Sequence, residues 1–376
     1  MSQGIYIHIP FCRNKCSYCH FLSFSFDPPT AERYTQSILR EIDLVSSSKE
    51  AKEIDSIYFG GGTPSLIPAE DISEILKECE RRFSISDNCE ISLEANPGTI
   101  SSENVSAYRK SGVNRISLGA QSLVDNELSA IGRTHRAEHI QESLKQLQSN
   151  GLSNLNVDLL LGLPNQTQWS WRHTLEALMK ASIKHVSVYM LDLDEPCALS
   201  TLVAEGKLEL PGEDLVAGLY LETIEFFLRN GYEQYEISNF ALPGFECRHN
   251  LKYWMREPVY GLGLGSHSFD GRQRYSNCRR MGDYLRFLEA GESPVVWRSG
   301  VTPDQAMQET LFLGLRLTRG IDWEALKAAH PERKLSIYEA SLRALSDKRL
   351  AEWKGPVVRL TPAGMLVSNE IFQMFV

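Results

Sequence analysis

The chain has 376 residues, a net charge of -9, and 42% hydrophobic against 23% charged residues. That fits one large globular domain with an accessory domain, or two to three smaller domains, and the acidity argues against a nucleic-acid partner. No run of about 18 apolar residues marks a membrane span, which leaves only peripheral membrane contact. The start, Met1 to Tyr6, has neither the basic segment nor the long apolar core of a secretory signal, so the expectation is a cytoplasmic protein with reduced thiols.

A first strand is expected at Ile5 to Ile9, and it runs into Cys12, Cys16 and Cys19, spaced C-x3-C-x2-C. Three thiolates this close in one loop can hold three corners of an iron–sulfur cube and leave the fourth iron open. A zinc site completed by His20 is the competing reading, although adjacent Cys19 and His20 close one tetrahedron awkwardly. Unligated thiols are the third. The other cysteines, Cys79, Cys89, Cys197, Cys247 and Cys278, have no spacing signal and read as small core or surface thiols.

Further strands are expected at Ser56 to Phe59, Glu90 to Glu94, Arg115 to Leu118, Asn156 to Leu161 and His185 to Leu191. Between and after them, helices are expected at Pro29 to Ser46, Pro68 to Phe83, Ser102 to Ser111, Ala137 to Asn150, Trp169 to Ala181 and Pro211 to Asn230. Gly112, Gly151 and Gly231 follow three of these helices as C-terminal caps. Ser46 to Glu50 reads as a solvated loop. Six β-then-α units imply a parallel sheet, either open and doubly wound or closed part-way into a barrel. Glycine-rich and polar residues recur at the strand ends: Gly60 to Pro64, Glu94 to Pro97, Gly119 to Ser122, and Asp158 with Gly162 to Pro164. Barrels collect their active-site residues there, which favours the partial barrel.

Beyond Tyr232 the alternation weakens. Gly261 to Gly265 reads as a glycine-relaxed strand or a loop. Thr302 to Leu315, Trp323 to Ala329 and Leu335 to Lys348 read as helices, and Leu350 to Trp353 with Val357 to Leu360 as a hairpin. The expected division is a barrel over 1–240, a connector over 241–300, and a winged-helix-like domain over 301–376 that acts as a lid or docking unit.

The cysteine spacing, with Tyr18 before the third cysteine, resembles the radical S-adenosylmethionine (SAM) superfamily, and Gly60-Gly61-Gly62-Thr63-Pro64 is similar to its glycine-rich motif. The resemblance implies a partial (β/α)6 TIM-like barrel. It also implies a 4Fe–4S cluster on Cys12, Cys16 and Cys19, with the cofactor's amino and carboxylate groups on the open iron. Enzymes of this superfamily use the reduced cluster to cleave the sulfonium to a deoxyadenosyl radical, and a flavodoxin or ferredoxin-type protein supplies the electron. Tyr6 to Cys12, Asn114 to Ser122, Gly132 to His135 and Asn156 to Pro164 resemble the oxygen-independent coproporphyrinogen III oxidases and their relatives. By that resemblance Tyr6, Tyr18, Gly62, Thr63, Glu94, Gln121, Arg133 and Asp158 line the cofactor site. The plainer alternatives are a Glu94–Arg133 ion pair, Gln121 and Asp158 serving buried backbone groups, and core aromatics.

Within that family, Arg248-His249-Asn250-Leu251-Lys252-Tyr253-Trp254 resembles the heme-binding segment of the heme-chaperone branch. The resemblance implies heme held by His249, Tyr253 and Trp254, and passage of heme to an acceptor such as a respiratory enzyme; His267 reads as a second contact or a plain turn residue. The oxidases carry a further cysteine where this chain has Phe21, and an N-terminal arm before the first strand. Both differences favour the chaperone over conversion of coproporphyrinogen III to protoporphyrinogen IX, and leave open whether the chain is an enzyme.

Overall fold

The structure, a computed structural model, describes residues 2–47, 53–330 and 335–375. Six parallel strands lie side by side in chain order: β1 (Gln3–Ile9), β2 (Glu53–Gly61), β3 (Ser84–Ala95), β4 (Arg115–Gln121), β5 (Leu155–Leu161) and β6 (His185–Met190). Helices α1 (Pro28–Ser47), α2 (Ala69–Arg82), α3 (Ser102–Lys110), α4 (Ala137–Ser149) and α5 (Gln168–Lys180) connect them, and α6 (Glu213–Arg229) follows β6. This is the partial (β/α)6 barrel. Of the loop expected at 46–50, Ser46 and Ser47 form the last turn of α1, and residues 48–50 lie outside the described ones.

Strand periodicity explains the layers. Ile5, Ile7 and Ile9 share one face of β1 and join a continuous apolar core with Tyr34, Ile38 and Ile42 of α1 and Ile72, Ile75 and Leu76 of α2. Tyr6 and His8 therefore take the opposite face, toward the barrel interior. The caps expected after three helices are present: Gly112, Gly151 and Gly231 have φ of 98°, 83° and 81°.

The sheet extends beyond the six units on both sides. Val259–Leu262 pairs parallel with β1 and takes up part of the 261–265 glycine run, and the strands His267–Phe269, Gln273–Asn277 and Val295–Gly300 continue antiparallel. On the β6 side, Asn239–Ala241 and then Glu233–Glu236 pair antiparallel. The C-terminal residues form helices Pro303–Gly314, Trp323–Ala329 and Ser336–Asp347. A hairpin, Ala351–Lys354 with Val357–Leu360, takes Ile321–Asp322 as its third strand, giving the winged-helix-like arrangement. No helix among the described residues is long and apolar enough to cross a membrane.

Candidate functional site

At the carboxyl ends of the strands a cavity of about 320 Å³ opens, lined by Cys12, Cys16 and Cys19 together with Tyr18, Gly62, Thr63, Glu94, Gln121, Arg133 and Asp158. Every cofactor-site residue expected from sequence except Tyr6 meets there. The cysteine loop is held by backbone pairing on both flanks. The Gly62 N–H donates to the Ile9 carbonyl (2.9 Å) and the Thr63 N–H to the Phe11 carbonyl (2.8 Å). From the other side the Phe24 N–H donates to the Pro10 carbonyl (2.7 Å) and the Phe26 N–H to the Cys12 carbonyl (2.9 Å). The approach at Gly62 requires glycine, because a Cβ there would lie 2.6 Å from the Phe11 carbonyl oxygen.

A polar network ties the loop to the strand ends, with Asn96 as its hub. Asn96 Nδ2 donates to Thr63 Oγ1 (2.8 Å), and the Thr63 hydroxyl lies 3.8 Å from Cys12 Sγ. Arg133 donates to Asn96 Oδ1 (2.9 Å) and to Tyr18 Oη (2.9 Å). Gly119 gives these side chains room, since a Cβ there would stand 2.9 Å from Asn96 Oδ1 and 3.2 Å from Gln121 Nε2. Gln121 itself takes a left-handed φ of 71° beside a break in the β4–β5 register. The alternative Glu94–Arg133 ion pair is not formed.

Glu94 instead accepts from Tyr58 Oη (2.9 Å) and the Gly61 N–H (3.1 Å). Asp158 accepts from Ser117 Oγ (2.8 Å) and Asn156 Nδ2 (2.7 Å). Burial, and then the charge of Asp158, raise the Glu94 pKa to about 7; burial raises that of Asp158. Among the described residues neither carboxyl is ion-paired. Burial also raises the Cys19 thiol, and Cys16 and Cys12 add to the effect. Two enclosed carboxyls and three crowded thiols make a site that favours positive charge.

The residues fit the expected cofactors. The thiols and His20 border one cavity, and among the described residues no three His, Cys, Asp or Glu side chains converge on a single metal ion. Among the described residues, Arg133 Nε, Ser17 Oγ and His20 Nε2 are buried without a partner. The remaining cysteines form no disulfide, and all but Cys197 are buried.

Of the residues expected to hold heme, His249 and Tyr253 are in contact, whereas Trp254 packs against Arg316. All three lie on a helix, Arg248–Trp254. His249 is 1% exposed, with Nδ1 3.0 Å from Ser56 Oγ, Nε2 3.2 Å from Tyr253 Oη and its ring stacked on Tyr58. Burial and the Lys252 charge lower its pKa to about 3. In this conformation both ring nitrogens of His249 are engaged, and His249 and Lys252 lie against Gly4 of β1 and Ser56 of β2. Trp254 lies under the Arg316 guanidinium at 4.2 Å, and only Tyr253 is substantially exposed. Tyr6, outside the cavity lining, bonds His8 Nδ1 (3.0 Å) and stacks on Tyr58. Tyr58 and Asn96 were missed. Asn96 was flagged only as part of a strand end, and nothing in the sequence distinguished Tyr58 from a core aromatic.

A six-stranded parallel partial barrel with a three-thiol loop after its first strand defines a protein of the radical SAM class. Residues 6–178 match the radical SAM superfamily and residues 301–367 the HemN C-terminal domain. The chain is 35% identical to a Synechocystis protein named heme chaperone HemW, over 94% of this chain and 87% of that one. It is 31% identical to the Bacillus subtilis protein of that name, over 99% of each. The chain therefore belongs to the HemW family of radical SAM proteins. In fold it is similar to the Escherichia coli coproporphyrinogen III oxidase HemN, a radical SAM enzyme, with TM-score 0.85 at 23% identity, covering 100% of this chain and 90% of that one.

Proposed function

We propose that this chain is a heme chaperone that carries a 4Fe–4S cluster and SAM, takes up heme, and passes it to an acceptor protein such as a respiratory enzyme in the cytoplasm. The observation that carries the cofactor assignment is the single cavity bordered by three thiols and the strand-end residues. Cys12, Cys16 and Cys19 would hold three irons. Gly62 and Thr63 would offer backbone to the cofactor's amino group, and the unpaired Glu94 and Asp158 would balance its positive charge. Tyr18, Gln121 and Arg133 would fix the remaining polar groups, and Tyr6 would support the floor through Tyr58 and His8. When bound, cluster and cofactor supply one-electron chemistry at the sulfonium, fed by a flavodoxin or ferredoxin-type reductant.

The heme assignment is supported by the names of the relatives and by the 249–254 segment. In this conformation Tyr253 is the part of that segment open to a porphyrin face. Contact through His249 or Trp254 requires the helix to withdraw.

Oxidation of coproporphyrinogen III is the second reading, favoured by fold alone. Against it, Phe21 stands 67% exposed in the cavity lining, where the oxidases carry a cysteine. Anaerobic reconstitution with iron and sulfide separates the two. The chaperone reading expects iron and sulfide in the purified protein, a Soret band on heme addition, and heme transfer to an apo-acceptor. Stoichiometric vinyl formation from coproporphyrinogen III with SAM and reductant would overturn it.

A further inference from the structure

We infer that the outer face of the cysteine loop docks an acidic, flavin-carrying one-electron donor, whose electron enters past Cys16. This rests on the cluster and reductant of the reading above. A second cavity, of about 240 Å³, opens beside the loop. Cys16, Thr63, Asn96 and Arg133 line both it and the cofactor cavity, so these four residues form the wall between the two. Of the three thiols, only Cys16 borders both sides. Arg13, Asn14, Gly98, Gly132 and Thr134 of the lining are exposed, so the second cavity faces solvent. A donor seated there meets a cluster ligand without entering the space that the cofactor fills.

Charge selects the partner. No aspartate or glutamate lines the second cavity, in a chain whose net charge is -9. Its lining holds two guanidinium groups, Arg13 and Arg133. Burial, and then the Arg133 charge, lower the His135 pKa to about 4, which leaves that ring neutral. Arg13, Lys15 and Arg136 are exposed, and among the described residues none of the three is ion-paired. Two acids flank this face. Asp125 accepts from the Ala137 N–H (2.9 Å), and Glu138 lies 4.0 Å from His139. Three unpaired cations and Arg133 outnumber them. The Ser17 N–H donates to the Ile131 carbonyl (3.3 Å), which ties the cysteine loop and the segment after Ile131 into one surface. A donor with acidic groups around its flavin complements that surface, and opposite charge steers and orients a transient redox partner. The transfer forms and breaks no bond. The flavin goes from hydroquinone to semiquinone, and the oxidised cluster is reduced by the one electron lost.

The test mixes photoreduced flavodoxin with the anaerobically reconstituted full-length protein and follows cluster absorbance by stopped flow at low and high salt. The second-order rate should fall steeply with ionic strength. The double variant Arg13→Glu, Arg136→Glu should react about tenfold or more slowly and lose most of the salt dependence. Its iron content, melting temperature and reduction by dithionite, which needs no docking, should not change. Arg40→Glu, at an exposed position of α1, should match wild type. Calorimetric titration with oxidised flavodoxin reads the same contact without electron transfer, and the double variant should bind about tenfold or more weakly. A double variant with wild-type rate, salt dependence and affinity overturns this inference and leaves the reductant reading standing. So does a wild-type rate indifferent to salt, which decides the matter even if the double variant loses iron. A wild-type cluster that dithionite reduces and flavodoxin does not overturns both.

Discussion

Glu94 and Asp158 sit in the same enclosed space, and burial there, with the charge of Asp158 added, has a measurable consequence for Glu94. With its pKa raised to about 7, Glu94 is half protonated near neutrality when the cavity is empty. A cationic ligand favours the carboxylate, so binding below that pH must release a proton. SAM affinity should therefore rise with pH through about 7 and level off above it, by up to about tenfold per unit on the acidic side. Glu94→Gln should bind more weakly and show no such slope. Calorimetric titration between about pH 6 and pH 8 reads both, and an unchanged slope in the variant would remove Glu94 from the cofactor site. The sequence identified Glu94 by its place at a strand end, but not its protonation, which comes from burial and from a second acid 64 positions away in the chain.

The glycine loop is an element whose conformation leaves no room for a side chain. Gly62→Ala would drive a Cβ against the Phe11 backbone, and backbone cannot swing aside as a side-chain tip does. The expected cost is about 1–3 kcal/mol by chemical denaturation, with lower iron retention because Cys12 lies next to the displaced carbonyl. The helix Arg248–Trp254 behaves differently. His249→Ala should cost about 1–3 kcal/mol in heme-free protein, because it leaves a void against Tyr58 and strips a partner from Ser56 and Tyr253. Equal stability of variant and wild type would mean that the helix does not anchor there. The six barrel strands and their helices were legible in the sequence to within a few residues, because each buries a periodic apolar face. β3 began earlier than expected, at Ser84, since Asp87 and Asn88 interrupt the apolar pattern yet continue the strand. The helix at 248–254 carried no apolar stripe, as it buries His249 and Lys252, so periodicity could not reveal it. The parallel pairing of Val259–Leu262 with β1 is a contact across most of the chain, and local pattern contains nothing of it.

On the scale of the whole molecule, the C-terminal unit shares one continuous apolar core with the barrel and is clasped to it by polar contacts of different kinds. Backbone bonds join Ile237 to the Arg316 carbonyl and Thr318 to the Tyr235 carbonyl, both at 3.1 Å. Arg316 also reaches over Trp254 and lies 3.6 Å from Glu236. Glu309, from helix Pro303–Gly314, holds Arg256 and Arg274 on the other side. Burial would raise the Glu309 pKa, but the hydrogen bonds from Arg274 and then Arg256 outweigh it and hold it below the ordinary carboxylate range. A depressed folded-state pKa means this clasp is at full strength above the unfolded value of about 4.3 and is lost as pH falls through the folded one. Acid should therefore loosen the C-terminal unit, seen as faster hydrogen exchange in Pro303–Gly314 ahead of the barrel strands. Glu309→Gln should produce the same loosening at neutral pH, costing about 1–2 kcal/mol once partial exposure of the arginines is allowed for. The variant should also lose the acid sensitivity of that helix, because the titrating group is gone. Exchange that stays acid-sensitive in Glu309→Gln would assign the sensitivity to another carboxyl at the same junction, with Glu236 the first to test.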